Sequence, residues 1–363
     1  MHILHVVGAR PNFMKAASVQ RALSARKDIR QTLVHTGQHY DAAMSEVFFQ
    51  QLGMPHPDCN LGIGSGTHAQ QTAAIMSSIE PVLLDRNPDL VLVYGDVNST
   101  VAAALVCSKL GIRIGHVEAG LRSGDRTMPE EINRLLTDQL SDLLFTPSPD
   151  GDANLLREGI DRSKIHLVGN VMIDTLVRLL PHAREVFPPD VSSPYALVTL
   201  HRPSNVDDLP WLNELLTTIA EMSERLMVIF PVHPRTRRRL ETLNSPASAN
   251  GRLRLLEPLP YLEFLALQQR AELVITDSGG VQEETTFLDV PCLTVRDNTE
   301  RPITITRGTN QLVGRDLRKL RMAADQICDR HRRRKGGQEL GRTPIPLWDG
   351  HASERIAEVI LGL

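Results

Sequence analysis

Short aliphatic and β-branched runs recur along this chain, and between them apolar positions return every three or four residues. The first pattern predicts strands and the second predicts amphipathic helices. In the first half the strands fall at 2–8, 31–37, 89–96, 112–120 and 143–148, with helical stretches such as 13–25 and 99–110 between them. Alternation of this kind means βαβ units and a parallel sheet. Near-continuous apolar runs such as LVLVYG at 90–95 suit strands covered on both faces.

The pattern breaks at 181–194, where PHAREVFPPDVSSP carries four prolines and reads as a linker. Alternation then resumes, with strands at 195–201, 225–233, 252–258, 272–280 and 291–297 and a last amphipathic helix at 351–362. The fold class expected is therefore α/β, with two Rossmann-like, doubly wound domains. The first covers residues 1–180 and the second 181–349, with an interdomain cleft between them. Ligands of such sheets sit beyond the carboxyl ends of the strands.

Composition narrows the partners. A chain of 363 residues, 41% hydrophobic, fits two globular domains, and a net charge of −3 gives no bulk attraction to nucleic acid or to a membrane surface. The basic clusters at 235–239 and 330–335 read as solvated helix faces. Cys59, Cys107, Cys292 and Cys328 form no CxxC pair and suit neither a zinc site nor a disulfide framework. The N-terminus reads as a first strand rather than a signal peptide, and no apolar run approaches the roughly 20 residues of a membrane span. The expected setting is cytoplasmic, with no metal and no membrane partner.

Every notable polar motif falls at a predicted strand end. TDSGGVQEE (276–284) joins a strand to a helix. Gly279 and Gly280 there leave backbone N–H groups open at a helix start, and Ser278 adds a hydroxyl. One letter separates TDSGG from the nucleophile stretch of trypsin-like proteases. Those are all-β and disulfide-rich, so Ser278 reads as a phosphate ligand. Glu284, one helical turn on, is placed for ribose hydroxyls. GARPNFMK (8–15) brings Arg10 and Lys15 to the tip of the first strand without GxGxxG, so a dinucleotide cofactor is poorly supported.

Asp96, Glu118 and the Glu130–Glu131 pair of MPEEINR bring acids to neighbouring strand ends. Each alone reads equally as a helix cap or dipole partner; gathered in a cleft they suit acid–base work. His201 and His233 end strands of the second half, where a histidine either packs or binds a ligand. Arg301 follows another strand end.

Taken in order, GARPNFMK, VLVYGDVNST, GHVEAGLRSGDRTMPEEINR, VTLHRPSN, FPVHPRT, ITDSGGVQEE, RDNTERP and GTNQLVG resemble the bacterial non-hydrolysing UDP-N-acetylglucosamine 2-epimerases over essentially the whole chain. The resemblance implies the GT-B architecture, with the C-terminal helix, residues 350–363, crossing back to the first domain. It implies a UDP-sugar substrate, no cofactor, a homodimer and, in many members, activation by the substrate itself, with Gln38, His39 and Gln70 as candidates for that second site. Asp96, Glu118 and Glu130 become acid–base carboxylates, with Glu131 the runner-up for the third, and Arg10 and Lys15 become contacts to the nucleotide-sugar. His201, Arg301, Ser278, Gly279 and Gly280 become the diphosphate clamp, with His201 counted among the catalytic groups. Glu284 becomes the ribose ligand and Phe264 the ring beside uracil. Ile303 stands where many members carry glutamate.

The activity so implied is reversible inversion at C2 of UDP-N-acetylglucosamine, by elimination of UDP to 2-acetamidoglucal and re-addition. The product commonly feeds surface polysaccharide synthesis. The competing readings are a 2-epimerase of a 3-substituted sugar such as a diacetamido uronic acid, a hydrolysing epimerase, and a UDP-sugar glycosyltransferase on the same fold.

Overall fold

The computed structural model describes the chain apart from residues 27, 38–48, 50, 189–190, 192–193, 243–251, 334–343 and 363. It divides into two compact units, Met1–Arg178 with Ile345–Leu363, and Leu179–Pro344.

The first unit is built on a sheet of order β3-β2-β1-β4-β5-β6-β7. Its strands are β1 (His2–Val7), β2 (Arg30–His35), β3 (Cys59–Asn60), β4 (Leu90–Tyr94), β5 (Arg113–Val117), β6 (Leu143–Thr146) and β7 (Ile165–Leu167). All pairings are parallel. All five residues of β4 are buried, as its unbroken apolar run requires. β1 pairs with β2 on one side and β4 on the other, so the strand order reverses there and the chain leaves the two strand ends in different directions.

The second unit repeats the plan with β10-β9-β8-β11-β12-β13. These strands are β8 (Tyr195–Thr199), β9 (Met227–Pro231), β10 (Leu253–Leu256), β11 (Leu273–Thr276), β12 (Cys292–Thr294) and β13 (Asn310–Leu312). Ala196 and Val198 pack in one apolar cluster, with Leu212, Leu215 and Ile219, while Tyr195 and Leu197 pack in another, with Leu267 and Val274. The period-two alternation of side chains thus gives β8 a covered face on each side. The order reverses between β8 and β11.

Two boundaries differ from the pattern-based expectation. The helix Val171–Glu185 runs through Pro181 into the expected linker. Its buried stripe of Ile173, Leu176, Leu179 and Ala183 continues at helical spacing past the proline, so packing outweighs the lost hydrogen bond. The return to the first unit begins at Ile345, ahead of the final helix Ala352–Leu361, because Ile345 and Trp348 are buried and the Trp348 indole donates to the Pro147 carbonyl at 2.9 Å. Asp174 accepts from the Ala352 and Ser353 N–H groups at 3.1 and 2.6 Å, capping that final helix from across the unit.

Candidate active site

In the first unit the turn after β1 is only Gly8 and Ala9. Pro11 lies in the first turn of the helix Arg10–Ser24, where its fixed φ suits the helix start, so Arg10 is a helical residue and not a turn residue. The Arg10 side chain lies outside the described part of the structure, as do Gln38 and His39. Asn12 Oδ1 accepts from the N–H groups of Gly8 and Ala9 at 3.2 and 3.1 Å, and its Nδ2 donates to the Tyr94 carbonyl at 2.7 Å. The ends of β1 and β4 are thereby tied together.

One turn further, Lys15 is buried and its ammonium is ion-paired with the buried Glu118 carboxylate. Glu118 adopts φ +76°, a left-handed conformation that costs a side-chain-bearing residue about 1–3 kcal/mol and that clusters at functional sites. The N–H groups of Glu118 and Ala119 hold it there by both donating to the Phe145 carbonyl, at 3.1 and 3.0 Å. Gly95 faces this pair. A Cβ on it would lie 2.9 Å from Lys15 Nζ and 3.2 Å from Glu118 Oε2.

Asp96 follows directly. Arg134 donates to its Oδ2 from Nε and Nη2 at 3.0 and 2.8 Å. The same guanidinium pairs with Glu131, which also accepts from Ser123 N, Ser123 Oγ and Gly124 N at 3.0, 2.9 and 2.9 Å. Glu131 is therefore buried and fully occupied in holding its own loop. Glu130, beside it in the helix Pro129–Leu140, is half-buried and has no hydrogen-bond or ion-pair partner among the described residues. Asp96, Glu118 and Glu131 are thus each paired with a cation, and Glu130 is not paired among the described residues. Gln70 sits apart, in a capping box with Thr67 at the start of the helix His68–Arg86.

In the second unit the ends of β8 and β11 are joined by Asp277, which is wholly buried. It accepts from the N–H groups of His201 and Arg202 at 3.1 and 2.9 Å and from Asn205 Nδ2 at 3.1 Å. Burial pushes its carboxyl upward, but the bonds from His201, Arg202 and Asn205 outweigh that and hold it below the usual carboxylate range. The His201 ring is 40% exposed and turns Nδ1 to Asp277 at 3.1 Å.

Ser278 is the N-cap residue of the helix Gly279–Phe287, yet its hydroxyl makes no capping bond. The first N–H groups of a helix lack intrahelical partners and attract anions. Gly279 has a steric reason: a Cβ would lie 2.4 Å from Arg301 Nη1 and 2.6 Å from Glu300 Oε1. Arg301 is itself buried and paired with Glu283 at 2.8 Å and with Glu300, so much of its charge is neutralised inside the protein. Glu284 accepts from the Tyr261 hydroxyl at 2.8 Å, and burial raises its carboxyl to about 7. Phe264, in the same helix as Tyr261 (Tyr261–Arg270), is half-buried against the cluster of Tyr195 and Leu197.

Two strand-end constellations result, one of carboxylates with paired cations and one that sets the His201 ring beside the Asp277–Ser278 turn and the N-terminus of the helix Gly279–Phe287. The family model described as UDP-N-acetylglucosamine 2-epimerase matches residues 21–361. The chain belongs to the UDP-N-acetylglucosamine 2-epimerase family. A relative of that name from Methanocaldococcus jannaschii is 44% identical, over 99% of each chain. The crystal structure of the Methanocaldococcus jannaschii UDP-GlcNAc 2-epimerase in complex with UDP-GlcNAc and UDP is similar over 100% of both chains, at 43% identity and a TM-score of 0.90. A Pseudomonas aeruginosa relative named UDP-2,3-diacetamido-2,3-dideoxy-D-glucuronate 2-epimerase is 43% identical over 100% of each chain. The fold class, α/β with two doubly wound parallel sheets of the GT-B type, is shared with these epimerases.

Several residues of this family member escape a reading of the sequence alone. Asn12, Arg134, Asp277 and Tyr261 each act by touching a group remote in sequence, and none stands at a motif's expected ligand position. The one available signal is a polar residue inside or just beyond an apolar run, as with Asp277 after LVIT.

Proposed function

We propose that the protein inverts C2 of UDP-N-acetylglucosamine to give UDP-N-acetylmannosamine, without hydrolysis. The observation that carries this is the strained Glu118, held against Lys15 next to the strand end that presents Asp96. The C2 hydrogen is not alpha to a carbonyl, so a carboxylate alone cannot remove it. Stretching the C1–O bond to UDP makes C1 electron-poor and C2–H acidic. A carboxylate takes the proton as the C1–O bond breaks, leaving UDP and 2-acetamidoglucal. Return of a proton to the other face of C2 and re-addition of UDP complete the inversion.

On this reading Asp96, Glu118 and Glu130 share the proton transfers, worth about 10²–10⁴-fold for a positioned acid–base group. The uncommitted carboxylate of Glu130 supports it over Glu131 as the third. The open N–H groups at Gly279 and Gly280, the Ser278 hydroxyl and His201 receive the charge that develops on the diphosphate. One preorganised donor is typically worth about 3 kcal/mol. Arg301 supports the turn through Gly279, Glu284 takes the ribose, Phe264 lies by the base, and Arg10 and Lys15 serve the sugar side.

The Pseudomonas aeruginosa relative supports a second reading, in which the sugar is a 2,3-diacetamido uronate. Proton NMR in D₂O, run with each UDP-sugar, separates the two. Epimer formation from UDP-N-acetylglucosamine with deuterium at C2 is expected. Turnover of the diacetamido uronate alone moves the assignment to the second reading. Release of free N-acetylmannosamine with UDP marks a hydrolysing enzyme, and transfer to an added acceptor marks a glycosyltransferase.

A cytoplasmic setting fits the four cysteines, none of which is in a disulfide among the described residues. Among the described residues no helix is long and apolar enough to cross a membrane. The homodimer and the second, activating UDP-sugar site rest on family likeness; sedimentation and substrate-saturation curves test them.

A further inference from the structure

Under the acidic site lies a buried pair outside any role so far described. His116 and Asp138 are both fully buried, with Nδ1 and Oδ1 2.6 Å apart. His116 Nε2 lies 2.8 Å from the carbonyl oxygen of Gly95, the residue before Asp96. Asp138 Oδ2 accepts from the Gly120 N–H at 3.1 Å, two residues beyond Glu118, and from Arg122 Nη2 at 2.7 Å. Arg122 in turn bonds Glu158 at 2.6 and 2.8 Å. A carbonyl only accepts, so His116 Nε2 carries a hydrogen toward Gly95, and Nδ1 closes the pair with Asp138 Oδ1.

We propose that the His116–Asp138 pair is a positioning unit that holds the Asp96 loop and the strained Glu118 loop in register with each other. The two loops leave different strands, β4 and β5. Strand pairing ends at Tyr94 and Val117, and beyond it the Gly95 N–H bond to the Val117 carbonyl, at 3.0 Å, gives way to side-chain control. Gly95 turns at φ +62°, open to glycine without strain, whereas Glu118 at φ +76° keeps a conformation that persists only when its surroundings over-determine it. One hydrogen-bonded chain, Gly95 carbonyl to His116 to Asp138 to Gly120 N–H, grips both loops from below. Burial raises the Asp138 carboxyl, and His116 and Arg122 outweigh it, so the group stays below its usual range and anionic throughout the working pH range. The role as a catalytic aid rests on the proposed epimerase reading; the geometric role does not.

Two substitutions separate the contacts. His116→Gln keeps a donor at the Nε2 position toward Gly95, and His116→Asn keeps only the donor toward Asp138. Misplacing a catalytic group by about an ångström costs about 100-fold. For UDP-N-acetylglucosamine we expect His116→Asn to lower kcat by about 10–100-fold with KM within about twofold. The isotope effect from C2-deuterated substrate should rise as proton removal becomes slower, and His116→Gln should recover most of the rate. A merely structural role would lower apparent kcat with the folded fraction and leave the isotope effect unchanged; that result overturns the proposal. Crystal structures of both variants supply a readout independent of substrate. Displaced Gly95–Val97 and Glu118–Leu121 segments in His116→Asn, restored in His116→Gln, support the positioning role. Unmoved segments in His116→Asn overturn it, whereas a wild-type enzyme inactive on UDP-N-acetylglucosamine sinks only the substrate reading.

Discussion

Gly95 and Glu118 meet at a point where neither tolerates change: a Cβ on Gly95 would lie 3.2 Å from Glu118 Oε2, and both residues hold positive φ, +62° and +76°. Gly95→Ala therefore adds strain of about 1 kcal/mol or more and pushes on the Lys15–Glu118 ion pair. The variant should fold with a lowered Tm and lose about 100-fold in kcat. Turnover within a few-fold of wild type would show that the pair is not poised for chemistry.

Glu130 and Glu131 adjoin in sequence and should separate in experiment. Glu130→Gln leaves the described contacts intact and should lower kcat by about 10²–10⁴-fold with little change in Tm. Glu131→Gln breaks a buried ion pair with Arg134 and should cost stability, up to about 3–5 kcal/mol. Asp96→Asn and Glu118→Gln should follow the Glu130 pattern in kcat, with UDP affinity little changed. Paired denaturation and kinetic measurements decide the assignment.

The nucleotide site should show a pH dependence with a definite sign. Burial holds Glu284 protonated up to about pH 7, against 4.5 for an exposed glutamate. Ribose hydroxyls bond best to the anionic form, so UDP affinity should weaken as pH falls below about 7 and level off above it. Because the folded-state value is raised, its contribution to stability is complete below about 4.5 and is lost as pH rises through about 7. Glu284→Gln should flatten both dependences. Calorimetric titration with UDP from pH 5.5 to 8.5, wild type against variant, checks this.

Ser278→Ala removes the hydroxyl that its helix leaves unused. A bond to a charged group is worth about 1.5–3 kcal/mol, so UDP affinity should fall by at least about tenfold. Asp277→Asn should weaken UDP binding too, through His201, because the amide keeps only one of the two acceptor oxygens that hold the His201 ring and the His201 and Arg202 N–H groups. An unchanged dissociation constant for Ser278→Ala would remove that residue from the phosphate site.

The strands and the strand-end positions of Asp96, Glu118, His201 and Ser278 were legible because parallel strands buried on both faces must be apolar along their length, and polar motifs therefore collect where they stop. The helix begins at Arg10 rather than at 13 because Pro11 suits a first helical turn, which apolar periodicity does not register. The reach of the helix through Pro181 was missed because proline is a breaker only when packing does not repay it.

The sequence by itself determined the class of fold, two αβ units, and the kinds of chemical group each brings to its strand ends, since periodicity and strand-end chemistry are local properties of the chain. Only the tertiary structure decided which of those groups are spent and which are open. Glu131 and Arg301 are spent on Arg134, Glu283 and Glu300, while Glu130 and the Ser278 hydroxyl are left uncommitted among the described residues. Likewise only the fold joins His116 to Asp138, 22 positions apart, and Asp277 to His201, 76 apart, because a hydrogen bond of about 3 Å depends on where strands are laid side by side. No spacing along the chain encodes that distance.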